Sequence, residues 1–131
     1  MEPLAYLAAR IFSCGSWICA GVHAASHFEM TASGMAKKGI PLPRLALPFV
    51  LLIEFGGVAL VVADTYTWAV CLVWIAFLIV ATYFYHRRWV TPEGQFDFFE
   101  CVQFWKNMSL IGGLMAMALL DPSRPDWLLR G

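Results

Sequence analysis

The chain has 131 residues, 60% of them hydrophobic and only 14% charged, with a mean hydropathy of +0.67. A soluble domain carries about 25% charged residues, and so short a chain has too much surface to hide the shortfall in a core, which argues against a water-soluble globule. Nine basic and nine acidic residues give a formal net charge of zero, leaving no long-range field of the kind that gathers nucleic acid.

Four apolar stretches reach or approach the roughly 20 residues that a helix needs to cross about 30 Å of hydrocarbon. They are residues 4–26, 45–63, 66–85 and about 104–120. The expected fold is all-α, a four-transmembrane-helix bundle that forms one domain over residues 1–131. The first stretch has Glu2 where a secretory signal carries positive charge, has Arg10 inside it and runs too long for a signal, so it is expected to stay in the mature protein. Gly34, Lys37, Lys38, Gly39, Pro41, Pro43 and Arg44 then stop one helix and set the angle of the next. Only Asp64 and Thr65 separate the second and third stretches, so these form a tight hairpin with one of the two as N-cap.

The fourth stretch is short, and the preceding Phe96, Phe98 and Phe99, with Trp89 and Trp105, read as an interfacial aromatic belt or a short amphipathic helix. An even number of spans puts both termini on one side. Lys37, Lys38, Arg44, Arg87 and Arg88 mark the long-loop side, against Arg124 and Arg130 on the terminal side. The positive-inside rule then assigns the long loops to the cytoplasm and the termini to the periplasm.

Ionisable residues inside a span cost roughly 2.5–3.5 kcal/mol each on insertion scales unless paired or wet. Glu54 lies near the middle of the second stretch and Arg10 about two turns into the first. They either form a structural ion pair or leave Glu54 to exchange a proton or hydrogen-bond a ligand. Nearer the long loops lie His23 and His27, four residues apart, with His86 closing the third stretch and Lys106 opening the fourth. These could converge, or could be ordinary helix-end and snorkelling side chains. His23 or His27 with His86 would supply the two imidazoles of a b-type haem, but only one such level exists and haem is not favoured. Cys14, Cys19, Cys71 and Cys101 show no CxxC spacing and read as buried thiols rather than metal ligands. No Ser-His-Asp order, phosphate-binding glycine loop or HExxH occurs.

The runs GIPLP at 39–43, IEFGGVALVV at 53–62, ATYFYH at 81–86 and FWKNMSLIGGLMAM at 104–117 resemble the DoxX family of four-helix membrane proteins. Arg10, Gly39, Pro41, Pro43, Glu54, Gly56, Gly57, His86, Lys106 and Asn107 match that family's pattern in order. His23 stands where the family commonly has lysine, and Ala63 and Asp64 stand where a glycine often closes the second span. The resemblance implies a bacterial inner-membrane protein, in a family named after the membrane subunit of a thiosulfate:quinone oxidoreductase. It leads to the expectation of a small subunit of a quinone-linked electron-transfer system that holds a quinone or lipid head group near the cytoplasmic interface. In that reading His86 and Lys106 donate hydrogen bonds and Glu54 relays protons. Phe98, Phe99 and Trp105 flank the ring, His23 stands at the rim, and a partner supplies electrons. The alternative is a non-catalytic accessory subunit that seats in a larger membrane assembly through small residues such as Ala9, Ser13, Ser16, Ala20, Gly112, Gly113 and Ala116.

Overall fold

The structure, a computed structural model, describes residues 4–129; Glu2 and Arg130 lie outside the described residues. Five helices follow in order: α1 Leu4–Ser26, α2 Phe28–Lys37, α3 Pro43–Val62, α4 Thr67–Tyr85 and α5 Phe98–Leu120, with a final 3-10 turn at Asp126–Leu129. Among the described residues the only strand-like feature is an isolated bridge between Val90 and Phe96. The protein is an all-α membrane bundle. α1, α3 and α4 are long and apolar enough to cross a bilayer. α5 is as long as α1, but Glu100, Gln103, Lys106 and Asn107 make its first half polar.

Two elements depart from the sequence expectation. The connection after α1 is itself a helix, α2, which buries Ala32 and Met35 against Leu47 and Ala24. It stops at Gly39, whose φ of +86° suits a left-handed cap; Gly39 N donates to Ala36 O and Ile40 N to Met35 O, both at 3.0 Å. Pro43 then starts α3, where a missing N–H costs nothing. α5 begins at Phe98, six residues before the expected 104, because Asp97 caps it: Asp97 Oδ1 accepts from Glu100 N at 3.1 Å.

α3 carries Pro48 and then a π-helical turn at Leu52–Gly56. Trp74 of α4 fills the space beside this turn, its indole Nε1 donating to Ile53 O at 3.0 Å. The same indole stacks on Trp17 of α1 at 4.5 Å between centroids and 13° between planes. Three helices meet there, with Cys14, Cys71 and Leu114 in the same core. Of the four cysteines, all free, Cys14 and Cys71 are buried as expected, whereas Cys19 is exposed on α1 and Cys101 half-buried on α5.

Neither Asp64 nor Thr65 caps α4. Its first turn is held from the far end of the chain: Asp121, 2% exposed, accepts from Trp68 N at 2.8 Å. At the other end of the same helix pair, Asn107 Nδ2 donates to Thr82 Oγ1 at 3.0 Å. The two ties are fourteen residues apart on α5 and fourteen on α4, so the helices run antiparallel in a locked register over about 21 Å. Outward-facing Phe12, Phe49, Leu52, Val62 and Ile79 leave an apolar surface suited to lipid.

Candidate functional site

Glu54 sits inside the π turn of α3, 4% exposed. A π turn adds a residue to the helical repeat, and such turns are frequent at functional sites. Here the widened turn carries Glu54 inward against Gly21 of α1. A Cβ placed on Gly21 would stand 3.1 Å from Glu54 Oε2 and 2.8 Å from Phe55 Cζ, so a larger residue there would crowd the carboxyl and push the Phe55 ring. Oε2 is buried and has no hydrogen-bond partner. An unsatisfied buried carboxyl oxygen costs roughly 1–3 kcal/mol or more and calls for an explanation.

That explanation lies beside it. Glu54 lines a half-open chamber of about 440 Å3 between α1, α2, α3 and α4. Ala24, Leu47, Val50, Phe77 and Ala81 make its walls apolar, while His23 and Thr31 bring polar atoms to it. His23 is exposed and therefore stands at the rim. Its ring stacks on His27 at 4.7 Å, and His27 Nδ1 donates to His23 O at 3.1 Å where α1 gives way to α2. An apolar cavity of this size with one buried carboxyl and an imidazole at its mouth is the usual form of a small-molecule site. α2 supplies Thr31 and Met35 to the lining, residues that reading 28–37 as a connection had left unconsidered.

The other expected site residues lie elsewhere. Arg10 is not paired with Glu54: its Nε donates to Val61 O at 2.9 Å, its Nη2 to Val62 O at 3.0 Å, and its Nη1 lies 3.3 Å from Asp64 Oδ2. The reason is depth. Glu54 meets α1 at Gly21, eleven residues beyond Arg10, which is about 16 Å along the helix. Arg10 therefore serves the C-terminal end of α3, where the free carbonyls and the dipole both favour a cation.

His86 ends α4 and turns to α5, its Nδ1 2.7 Å from Glu100 Oε2, while Trp89 Nε1 donates to His86 O at 3.0 Å. Lys106 is exposed, bonds Gln103 one turn back, and lines a separate groove between α1 and α5 with Ser13, Trp17 and Gly113. His86, Lys106 and Glu54 thus share no cavity, because α5 presents Lys106 toward α1 and Glu100 holds His86 at the helix end. Phe98, Phe99 and Trp105 are exposed, outside the chamber; aromatic rings at the polar start of a span settle at the membrane interface. No group of three or more His, Cys, Asp or Glu side chains among the described residues is placed to hold a metal ion.

Comparison with known proteins agrees with this architecture. The chain is similar to the inner membrane protein YphA of Escherichia coli K12, 27% identical over 92% of this chain and 86% of the relative. It is similar also to the inner membrane protein YqjF of the same organism, 27% identical over 93% of this chain and 88% of the relative. No solved structure matches. The DoxX family profile matches residues 5–87, which takes in α1 to α4 and with them Arg10, Glu54 and the whole lining of the chamber, and the chain belongs to the DoxX family.

Proposed function

We propose that this protein is a small inner-membrane subunit of a quinone-linked electron-transfer system, and that the chamber beside Glu54 receives the quinone head. The observation that carries the reading is the unpartnered Glu54 Oε2 at the wall of an apolar cavity. The residues fit the group: a planar, mostly apolar ring with oxygens at its edge needs greasy walls and one hydrogen-bonding partner in depth. A quinone, when bound, accepts electrons together with protons. Glu54 does what the chain itself can do: protonated, it donates to an oxygen in the chamber, and ionised, it accepts from a hydroxyl. His23 at the rim exchanges protons with water at the membrane surface. His86 and Lys106, first expected at this site, have no part in it. α5 completes a fourth crossing, with the long loops in the cytoplasm and the termini in the periplasm.

Binding of a short-chain ubiquinone analogue to the purified protein, followed by quenching of tryptophan fluorescence, tests the reading. Glu54→Leu should weaken binding by about 1.5–3 kcal/mol, the usual worth of a hydrogen bond to a charged group. Ala81→Trp should abolish it by filling the chamber, and Lys106→Met should leave it unchanged. Binding that survives both Glu54→Leu and Ala81→Trp would remove the chamber from the reading.

A second reading, an accessory subunit of a larger assembly, rests on a different observation. Cβ atoms placed on Gly15, Gly112 and Gly113 meet nothing within 4 Å, so α1 and α5 each keep backbone open to a close-packing neighbour. Gentle extraction followed by native mass measurement separates the two: a lone monomer disposes of the assembly.

A further inference from the structure

The chamber has a neighbour. Phe84 and Tyr85, which line it, also line a second recess of about 370 Å3 formed by the C-terminal end of α2, the C-terminal end of α4 and the loop to α5. Lys37, Lys38, Arg87 and Arg88 all line this recess. Four of the chain's nine basic residues are thus gathered in one concavity, where they outnumber the carboxylates and favour an added anion.

Two carboxylates, Asp97 and Glu100 in the first turn of α5, line the same recess against the four cations, and each also has a partner of its own. Glu100 Oε2 lies 2.7 Å from His86 Nδ1, and Asp97 Oδ1 accepts from Glu100 N at 3.1 Å. Among the described residues, none of the four cations forms an ion pair. Two of the four rest against aromatic rings. The Arg87 guanidinium lies 4.3 Å from the Tyr83 ring centroid and Lys38 Nζ 5.6 Å from that of Tyr85, contacts that hold a cation beside an aromatic face. The loop wall is fixed by Thr91 N donating to Gln95 O and Asp97 N to Trp89 O, both at 2.8 Å. Exposed Phe96, Phe98 and Phe99 flank the same end of the bundle, and rings of this kind mark head-group depth in a membrane protein.

We infer that this recess binds the phosphodiester head group of an anionic phospholipid. Guanidinium groups match phosphate oxygens two at a time and lysines add point charge, and basic pockets between helices at a membrane surface are suited to such head groups. The inference does not depend on a quinone in the chamber, because a different set of side chains makes the recess.

The full chain reconstituted in nanodiscs of phosphatidylglycerol or of phosphatidylcholine, released and weighed by native mass spectrometry, tests it. The expected result is retention of phosphatidylglycerol in clear preference to phosphatidylcholine. That preference should fall about fivefold for each cation removed by Lys37→Gln, Lys38→Gln, Arg87→Gln or Arg88→Gln. A variant that exchanges lysine and arginine at all four positions should keep the preference. Should the fourfold glutamine variant fail to fold, the lysine pair and the arginine pair are changed separately, and loss of preference in both supports the site. Equal retention of the two lipids, or a preference untouched by either pair, overturns it. So does full thermal stabilisation by millimolar inorganic phosphate in phosphatidylcholine, since the recess would then take a free anion rather than a lipid.

Discussion

A guanidinium inside a span is tolerable only where its donors find acceptors, and Arg10 finds them at the end of α3. Its two carbonyl partners, Val61 and Val62, belong to the last turn of that helix, and its ion-pair partner Asp64 is 42% exposed while Arg10 is 7% exposed. The carbonyl bonds therefore matter more than the half-solvated charge pair. Arg10→Leu should cost about 2 kcal/mol by removing two charge-assisted hydrogen bonds, one to the part-buried Val62 O and one to Val61 O, which keeps only the longer bond from Asp64 N at 3.2 Å, whereas Asp64→Asn should cost about 1 kcal/mol or less. Reversible unfolding in mixed micelles measures both, and equal losses would mean that the ion pair dominates after all. That Arg10 lies inside the first span was legible in the sequence; its partner was not, and a reading that set it within a few ångströms of the depth of Glu54 missed a separation of about 16 Å along α1. Backbone carbonyls at a helix end have no letter of their own, and which α1 residue faces Glu54 depends on how the helices are set against each other, which periodicity does not state.

At the scale of the element, α3 is the least regular helix and the most consequential. Its π turn, its buried glutamate and its contact with Trp74 occupy one stretch, and Gly57 makes that contact possible. A Cβ on Gly57 would stand 2.5 Å from Trp74 Nε1, and the indole cannot retreat because it is stacked on Trp17. Gly57→Ala should therefore destabilise the protein by about 1–3 kcal/mol, typical of overpacking, while Gly56→Ala, with only Leu52 of its own helix within 4 Å, should be tolerated. Thermal unfolding of the two variants side by side decides it, and equal behaviour would show that the α3–α4 contact gives way easily. The paired glycines were plain in the sequence, as was Pro48, but nothing in the letters distinguishes a π turn from an α turn. One further signal went unread, the Asp97-x-x-Glu100 spacing that starts α5, and Gly39, read among the residues that stop the first span, in fact caps a separate helix, α2.

For the whole molecule, the apolar lengths and the position of the short turn were enough to anticipate an antiparallel bundle. The site was only half legible, since Glu54 and His23 do meet at one chamber while His86 and Lys106 are drawn off by Glu100 and by the α1–α5 groove. Sidedness is a separate matter, and the proposed fourth crossing with cytoplasmic long loops makes a definite prediction. A cysteine introduced at Ser123 should react with a membrane-impermeant maleimide added from the periplasm, and one at Lys37 should not; the converse pattern would invert the topology. Native exposed Cys19 should first be changed to serine so that its signal does not intrude.

The reach of Arg10 and Asp121 across the bundle also bears on how the chain is made. The turn between α3 and α4 is short, and besides its own bonds from Asp64 N to Val61 O and Thr65 N to Leu60 O, each helix end takes a partner from across the bundle: the end of α3 from Arg10 of α1, and the start of α4 from Asp121 at the end of α5. A nascent chain paused after α4 holds that hairpin before Asp121 has arrived to accept from Trp68 N. α5 is then less an addition to a finished bundle than the element that completes the start of α4, and a product cut before Asp121 would begin that helix without its acceptor.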